Sequence, residues 1–178
     1  MANLKIIDPG YSDPTSPFTV RGDDAVTDFV VHHSAGPLNQ TPLEIDAFER
    51  ENGDIYMPYT WLIDNKGNIY SGRPVYAVSA ATFGRNQESV AVCLIGNFER
   101  SSPGYNGPPS QEALASLETL CMWAHRQYPS IVRTYCHGDV AGLFYGGDSN
   151  YATLCCGDIL RTQVAGIKAR IAAALIKH

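Results

Sequence analysis

The sequence lacks the features that mark membrane-spanning or nucleic-acid-binding proteins. None of its apolar runs approaches the roughly 18 residues that a membrane-spanning helix needs. It contains no run of lysine and arginine, and its formal net charge is −5, whereas nucleic-acid binders usually carry a basic face. We therefore expect neither a membrane span nor a nucleic-acid partner.

The N-terminus also lacks a secretory signal. Residues 1–13 carry one lysine followed by polar and proline residues, without the apolar core of a signal peptide. We expect synthesis in the cytoplasm, so any target outside the membrane would be reached only after release. The 178 residues are 44% hydrophobic and 17% charged, which suits one globular domain. We expect a monomer with an N-terminal lead-in over 1–24 and a single domain over 25–178.

Cysteine is present in an odd number, five residues in all. Without a signal peptide, an odd count argues against a disulfide framework and favours a reduced compartment. Cys93 and Cys121 lie in apolar runs and are interpreted as small buried residues. The remaining thiols are expected to be buried or to bind metal.

Strand and helix patterns alternate along the chain. Runs rich in β-branched or alternating apolar residues predict strands over 25–34, 59–64, 68–71, 89–98 and 132–137. Helix-start signals at Thr41, Ser110 and Asp158 each precede a helical apolar pattern. The fold class predicted is α/β, a central mixed β-sheet flanked by helices. The polar, glycine-rich segment 138–153 is long for a connection and is expected to be functional or mobile.

Histidine and cysteine cluster at the predicted strand ends. A histidine pair closes the first strand (32–33), His137 closes the last strand, and a cysteine pair follows the long segment (155–156). Imidazole and thiolate are preferred zinc ligands, and three protein ligands with one open position are the catalytic arrangement. Neighbouring strand residues point to opposite faces, so His32 and His33 cannot both face one metal. The alternation does not say which of them does.

Five ordered motifs carry a family resemblance across nearly the whole chain. They are VVHHSAG at 30–36, YTWLIDNKGNIYSGRP at 59–74, SVAVCLIGNF at 89–98, CHGDV at 136–140 and TLCCG at 153–157. With these motifs the chain resembles the zinc-dependent N-acetylmuramoyl-L-alanine amidases of the T7 lysozyme and peptidoglycan recognition protein type. The resemblance implies that His32, His137 and Cys155 bind Zn²⁺ and that Tyr59 and Thr153 are catalytic.

The chemistry that the resemblance implies is amide hydrolysis in peptidoglycan. Zinc activates water and polarises the carbonyl, and the Tyr59 and Thr153 hydroxyls could donate to the oxyanion. Threonine is a poor acid, so Tyr59 or the water is expected to protonate the leaving amine. Asp139 is interpreted either as a group orienting a ligand imidazole or as a solvated acid.

The sequence departs from the family pattern in three places. Cys156 replaces the proline that usually follows the cysteine ligand, residues 143–152 look inserted, and residues 78–81 lack a histidine that many relatives carry before Asn86 and Ser89. None of these departures removes a predicted ligand.

The function expected is cleavage between N-acetylmuramic acid and L-alanine by a phage endolysin. A cell-wall recycling amidase would share this chemistry. A non-catalytic peptidoglycan-binding protein is an alternative, although such family members usually lose the cysteine ligand. A third alternative is a cysteine peptidase that uses Cys155 and His137.

Overall fold

The apolar strand patterns form one mixed sheet in the computed structural model, which describes residues 4–175. The strands are β1 (Ile6–Ile7), β2 (Asp28–His33), β3 (Trp61–Ile63), β4 (Ile69–Ser71), β5 (Ser89–Leu94) and β6 (Arg133–Cys136). Their order in the sheet is β1-β4-β3-β5-β2-β6. All neighbours are parallel except β3 and β4, which form the predicted hairpin.

Four α-helices accompany the sheet within the described residues: α1 (Pro42–Glu51), α2 (Gln111–Gln127), α3 (Val140–Phe144) and α4 (Asp158–Leu175). The Thr41 hydroxyl accepts the Glu44 N–H while the Glu44 side chain accepts the Thr41 N–H, so the predicted capping box begins α1. Ser110 caps α2 through the Ala113 N–H. The α/β prediction, a mixed sheet flanked by helices, is confirmed.

The register of the sheet assigns the two histidines of β2 to different faces. His32 lies beside Cys93 of β5, and Cys93 lies beside Leu62 of β3, on the face that packs with α1. His33 lies beside Leu94, on the face where α2 and α4 build the larger core. Of the two histidines, only His32 therefore lies on the face of the sheet that packs with α1.

Several predicted boundaries were too generous. β2 begins at Asp28 rather than at residue 25, because Asp23–Ala25 form a 3-10 turn, and β5 ends at Leu94 rather than at residue 98. β6 ends at Cys136, whose N–H donates to the Asp139 carboxylate and so starts a 3-10 turn (His137–Asp139). Asp158 is the first residue of α4, and the Glu99 carboxylate accepts its N–H.

The segment 138–153 is not one continuous loop. It contains α3 and a further 3-10 turn (Ser149–Tyr151). Val140 and Phe144 pack against Val30 and Tyr135, and this burial stabilises the short helix. The segment before residue 25 contributes β1 to the sheet through its pairing with β4.

The expectation of free thiols was wrong for one pair of cysteines. Cys136 and Cys156 form a disulfide, with their Cα atoms 5.7 Å apart. The pairing arises because the end of β6 and the turn before α4 lie side by side, a contact 20 residues apart in sequence that no local pattern indicates. Cys93 and Cys121 are free and buried, as predicted.

None of the helices within residues 4–175 combines the length and the apolar character needed to cross a lipid bilayer.

Candidate metal centre

Three side chains converge at one end of the sheet. His32 comes from the end of β2, His137 from the turn after β6 and Cys155 from the segment before α4. One potential ligand atom from each lies within 4.8 Å of the others. The structure thus brings together the three residues that the sequence singled out as metal ligands.

The spacing of these atoms fits a zinc ion. Nδ1 of His32 lies 3.5 Å from Sγ of Cys155. Tetrahedral zinc with ordinary Zn–N and Zn–S bond lengths separates a nitrogen from a sulfur ligand by about 3.6 Å. The His32 and His137 rings lie 4.8 Å apart, centroid to centroid. Two imidazoles and one thiol form a donor set that zinc prefers, and one coordination position would remain for substrate or water.

Backbone contacts hold the two later ligand segments together. The Gly138 N–H donates to the carbonyl oxygen of Cys155. A Cβ atom at Gly138 would lie 2.6 Å from the carbonyl oxygens of both Thr153 and Cys155. Glycine is therefore required at 138, since any side chain would force the cysteine segment away from His137.

Burial favours the uncharged forms of the cluster in the absence of metal. Desolvation lowers the pKa of His137 to about 4 and holds the pKa of His32 well below its usual range, so both imidazoles are neutral at pH 7. Neutral imidazole is the form that binds metal. Desolvation also raises the pKa of Cys155 to about 12, although the His33 backbone and Arg161 oppose the shift.

Residues close in sequence to the three candidate ligands make other contacts. Nδ1 of His33 accepts the N–H of Phe98 at 3.1 Å, inside the larger core. Cys156 is engaged in the disulfide. The Asp139 carboxylate accepts the Cys136 N–H and lies 3.4 Å from Arg161, so it caps the turn that carries His137. Its side chain is 34% exposed and contacts the backbone of that turn.

Tyr59 lies against the cluster. Its ring centroid is 5.4 Å from that of His32. Desolvation, with smaller contributions from Cys93 and Cys155, raises the pKa of Tyr59 well above its ordinary value. The phenol therefore remains protonated at neutral pH and can donate a hydrogen bond.

Thr153 lies two residues before Cys155. Its hydroxyl oxygen accepts the Cys155 N–H at 3.2 Å. This contact uses a lone pair of the oxygen, so the hydroxyl proton remains available to a substrate.

Sequence reasoning missed one residue of the site, Thr82. It is fully buried, and its Oγ1 lies 3.1 Å from Nε2 of His32. Thr82 follows the segment 78–81 that lacks the histidine of many relatives. A threonine in a loop carries no periodicity or spacing signal, so only the fold could identify it.

The fold and the donor cluster define an α/β protein with a histidine–cysteine cluster that could hold a metal ion. Residues 22–153 match the model of a protein family described as N-acetylmuramoyl-L-alanine amidase. The chain belongs to this family.

Similar sequences and a similar solved structure support that assignment. The chain is 32% identical over 127 residues to an endolysin of Enterobacteria phage K11, covering 70% of this chain and 81% of the relative. It is 31% identical over 115 residues to an endolysin of Enterobacteria phage T3, covering 62% and 74%. Among solved structures it resembles the N-acetylmuramoyl-L-alanine amidase LysC from Clostridium intestinale, with 25% identity, 94% and 97% coverage and a TM-score of 0.76.

Proposed function

We propose that this protein hydrolyses the amide bond between N-acetylmuramic acid and L-alanine in bacterial peptidoglycan, as a phage lysin that reaches the cell wall after release. The observation that carries the proposal is the convergence of His32, His137 and Cys155 in a member of this amidase family. The names of its endolysin relatives support the phage setting.

His32, His137 and Cys155 would hold the metal through two nitrogens and one sulfur. Zinc bound there would polarise the scissile carbonyl and activate water near neutral pH. The protein's part is to hold the donors at fixed spacing, and the partly exposed His137 and Cys155 leave the cluster accessible to a substrate.

Tyr59 is proposed to donate a hydrogen bond from its phenol to the oxygen of the scissile carbonyl as negative charge develops on it. Its raised pKa keeps the phenol proton in place until the substrate arrives. A preorganised donor in a site that excludes water stabilises the transition state more than the ground state. The proton that the departing amine needs would come from the attacking water, directly or relayed through the Tyr59 hydroxyl.

Thr153 is proposed as a second donor. Its oxygen is held by the Cys155 N–H, which orients the hydroxyl beside the cysteine. Threonine is too weak an acid to protonate the leaving group, so its role is limited to the oxyanion.

A cysteine nucleophile would need only Cys155 and His137. The cluster also contains His32, and one ligand atom from each of the three residues lies within 4.8 Å of the others. Metal-assisted hydrolysis, which uses all three side chains, is therefore the better account of this cluster.

The deciding experiment is mass spectrometry of purified peptidoglycan digested with the zinc-loaded enzyme. We expect free stem peptides that begin at L-alanine, their loss after chelation, and their return when zinc is restored. Cys155→Ser should neither bind zinc nor release peptides. Intact lactyl–peptide bonds after treatment with zinc-loaded enzyme would refute the proposal, as would cleavage that survives chelation and stops on thiol alkylation.

A further inference from the structure

The two ring nitrogens of His32 face different partners. Nδ1 points to the cluster and lies 3.5 Å from Sγ of Cys155. Nε2 points to the opposite side and lies 3.1 Å from Oγ1 of Thr82. Since Thr82 is fully buried, this hydroxyl meets no competing solvent.

This arrangement bears on the position of the imidazole proton. A neutral imidazole carries one proton, and the nitrogen that binds a metal must be the one without it. If Nδ1 binds the metal, the proton is on Nε2, and Nε2–H donates to the Thr82 oxygen. A hydrogen-bond acceptor at the second nitrogen fixes the tautomer and the ring orientation of a metal-binding histidine.

We propose that Thr82 is a positioning residue that keeps the His32 proton on Nε2 and leaves the Nδ1 lone pair directed at the metal. The inference rests on the metal site proposed above and adds to it a residue outside the donor set.

The loop of Thr82 is held by its own backbone contacts. The Thr82 N–H donates to Oδ1 of Asn86 at 2.7 Å, and the Arg85 N–H donates to the Thr82 carbonyl oxygen at 2.9 Å. These bonds close a tight turn, and the Arg85 guanidinium joins that turn to β2 by donating to the Asp28 carboxylate.

The segment 143–152, interpreted from the sequence as an insertion, packs against the same turn. Tyr145 and Tyr151 stack with centroids 3.6 Å apart, and Tyr151 also stacks on Phe83 at 5.4 Å. The Tyr145 hydroxyl donates to the Gly84 carbonyl oxygen at 2.6 Å. Gly84 has φ +82°, and a Cβ there would lie 2.7 Å from the Tyr151 ring. The insertion thus holds the turn that presents Thr82 to His32.

The first measurement is ¹⁵N NMR of the histidine rings in metal-free protein at neutral pH. We expect His32 to carry its proton on Nε2 in the wild type and in Thr82→Ser, which keeps the hydroxyl. Thr82→Val has nearly the same shape without the hydroxyl and should gain the Nδ1–H form. A wild-type His32 that carries its proton mainly on Nδ1 would overturn the proposal.

The second measurement is zinc affinity by competition with a chromophoric chelator, with thermal unfolding of the metal-free variants as a control for folding. Loss of such a partner typically weakens metal binding by about 10- to 100-fold. We expect that loss in Thr82→Val and an affinity close to wild type in Thr82→Ser. Equal zinc affinity in Thr82→Val and wild type would refute the role of Thr82.

The contribution of the insertion is tested by Tyr151→Leu alone and combined with Thr82→Val. If Tyr151 acts through Thr82, the two losses of zinc affinity should not add. Additive losses would limit the proposal to Thr82 itself and contradict the role of the insertion. A wild type that binds no zinc would refute the proposed metal site, while the tautomer measurement would still decide the role of Thr82.

Discussion

Cys136 and Cys156 form a disulfide that connects the residue before His137 to the residue after Cys155. Two of the three candidate ligands therefore lie on chain segments that are covalently joined beside the cluster. Both half-cystines are fully buried in the larger core, whereas Cys155 is only partly buried. The disulfide restrains the backbone of the site while Cys155 keeps its thiol.

Breaking this disulfide should lower stability and zinc affinity together. Its loop of 20 residues corresponds to about 3 kcal/mol of unfolding free energy in the chain-entropy model. We expect a loss near that size in Cys136→Ala/Cys156→Ala relative to the oxidised wild type, measured by urea unfolding of both proteins without reductant. Zinc affinity should fall because the Cys155 segment gains freedom relative to His137.

Reduction of the wild type provides the matched comparison. A reductant should move the wild type toward the double variant in both measurements and leave the double variant unchanged. If the reduced wild type keeps the stability and zinc affinity of the oxidised form, the disulfide does not restrain the site.

Gly138→Ala should impair zinc binding through geometry alone. The added Cβ would meet the carbonyl oxygens of Thr153 and Cys155 at 2.6 Å, well inside van der Waals contact. Since these are backbone atoms, the cysteine segment must shift away from His137. We expect weaker zinc binding by competition titration, with a loss of stability of about 1–3 kcal/mol.

Gly142→Ala is the control for that substitution. Gly142 lies in α3, and a Cβ there would contact nothing within 4 Å. It should bind zinc like the wild type and gain slightly in stability, because alanine favours helix over glycine. Equal zinc affinity in the two variants would show that the 138 position does not control the ligand spacing.

Local sequence signals predicted the elements but not all of the site. The Thr41–Glu44 capping box and the Ser110 cap could be predicted because each joins two residues that are three positions apart in the sequence. Strand alternation showed that only one of His32 and His33 could face a metal. It could not choose between them, because the choice depends on which face α1 covers and on the Phe98 N–H that His33 accepts.

The features that sequence reasoning missed are contacts between distant segments. The Cys136–Cys156 pairing and the Thr82–His32 contact each join parts of the chain that carry no common local pattern. Their positions follow from the register of β2 with β5 and β6, which is set by packing of the whole sheet. Family motifs supplied His32 and Cys155, whereas Thr82 lies between two of those motifs, directly after the segment 78–81 that lacks the histidine of many relatives.

Tyr59→Phe should separate catalysis from metal binding. The substitution keeps the ring beside His32 and removes only the phenol donor. Loss of one oxyanion donor typically lowers kcat by about 100- to 1000-fold. We expect that fall in peptide release from peptidoglycan, with zinc affinity unchanged. An unaltered kcat would mean that Tyr59 is a packing residue.

Asp28→Asn should destabilise the fold more than any surface charge change, because Asp28 is a fully buried anion with several partners. Its carboxylate accepts Arg85 and the Tyr135 hydroxyl, both at 2.8 Å, and pairs with Arg133. Both guanidinium groups also lie over the Phe144 ring, at 4.3 and 5.4 Å, so the network ties β2 to α3.

Removing one partner of such a network leaves the other charges without compensation, at a cost of about 3–5 kcal/mol. Partial exposure of Arg133 places the expected loss at the lower end of that range. The control is Glu118→Gln, which breaks the exposed pair with Arg170 and should cost less than about 1 kcal/mol. Urea unfolding of both variants measures the difference. Similar losses in the two would show that the Asp28 charge is solvated and does not anchor the strand.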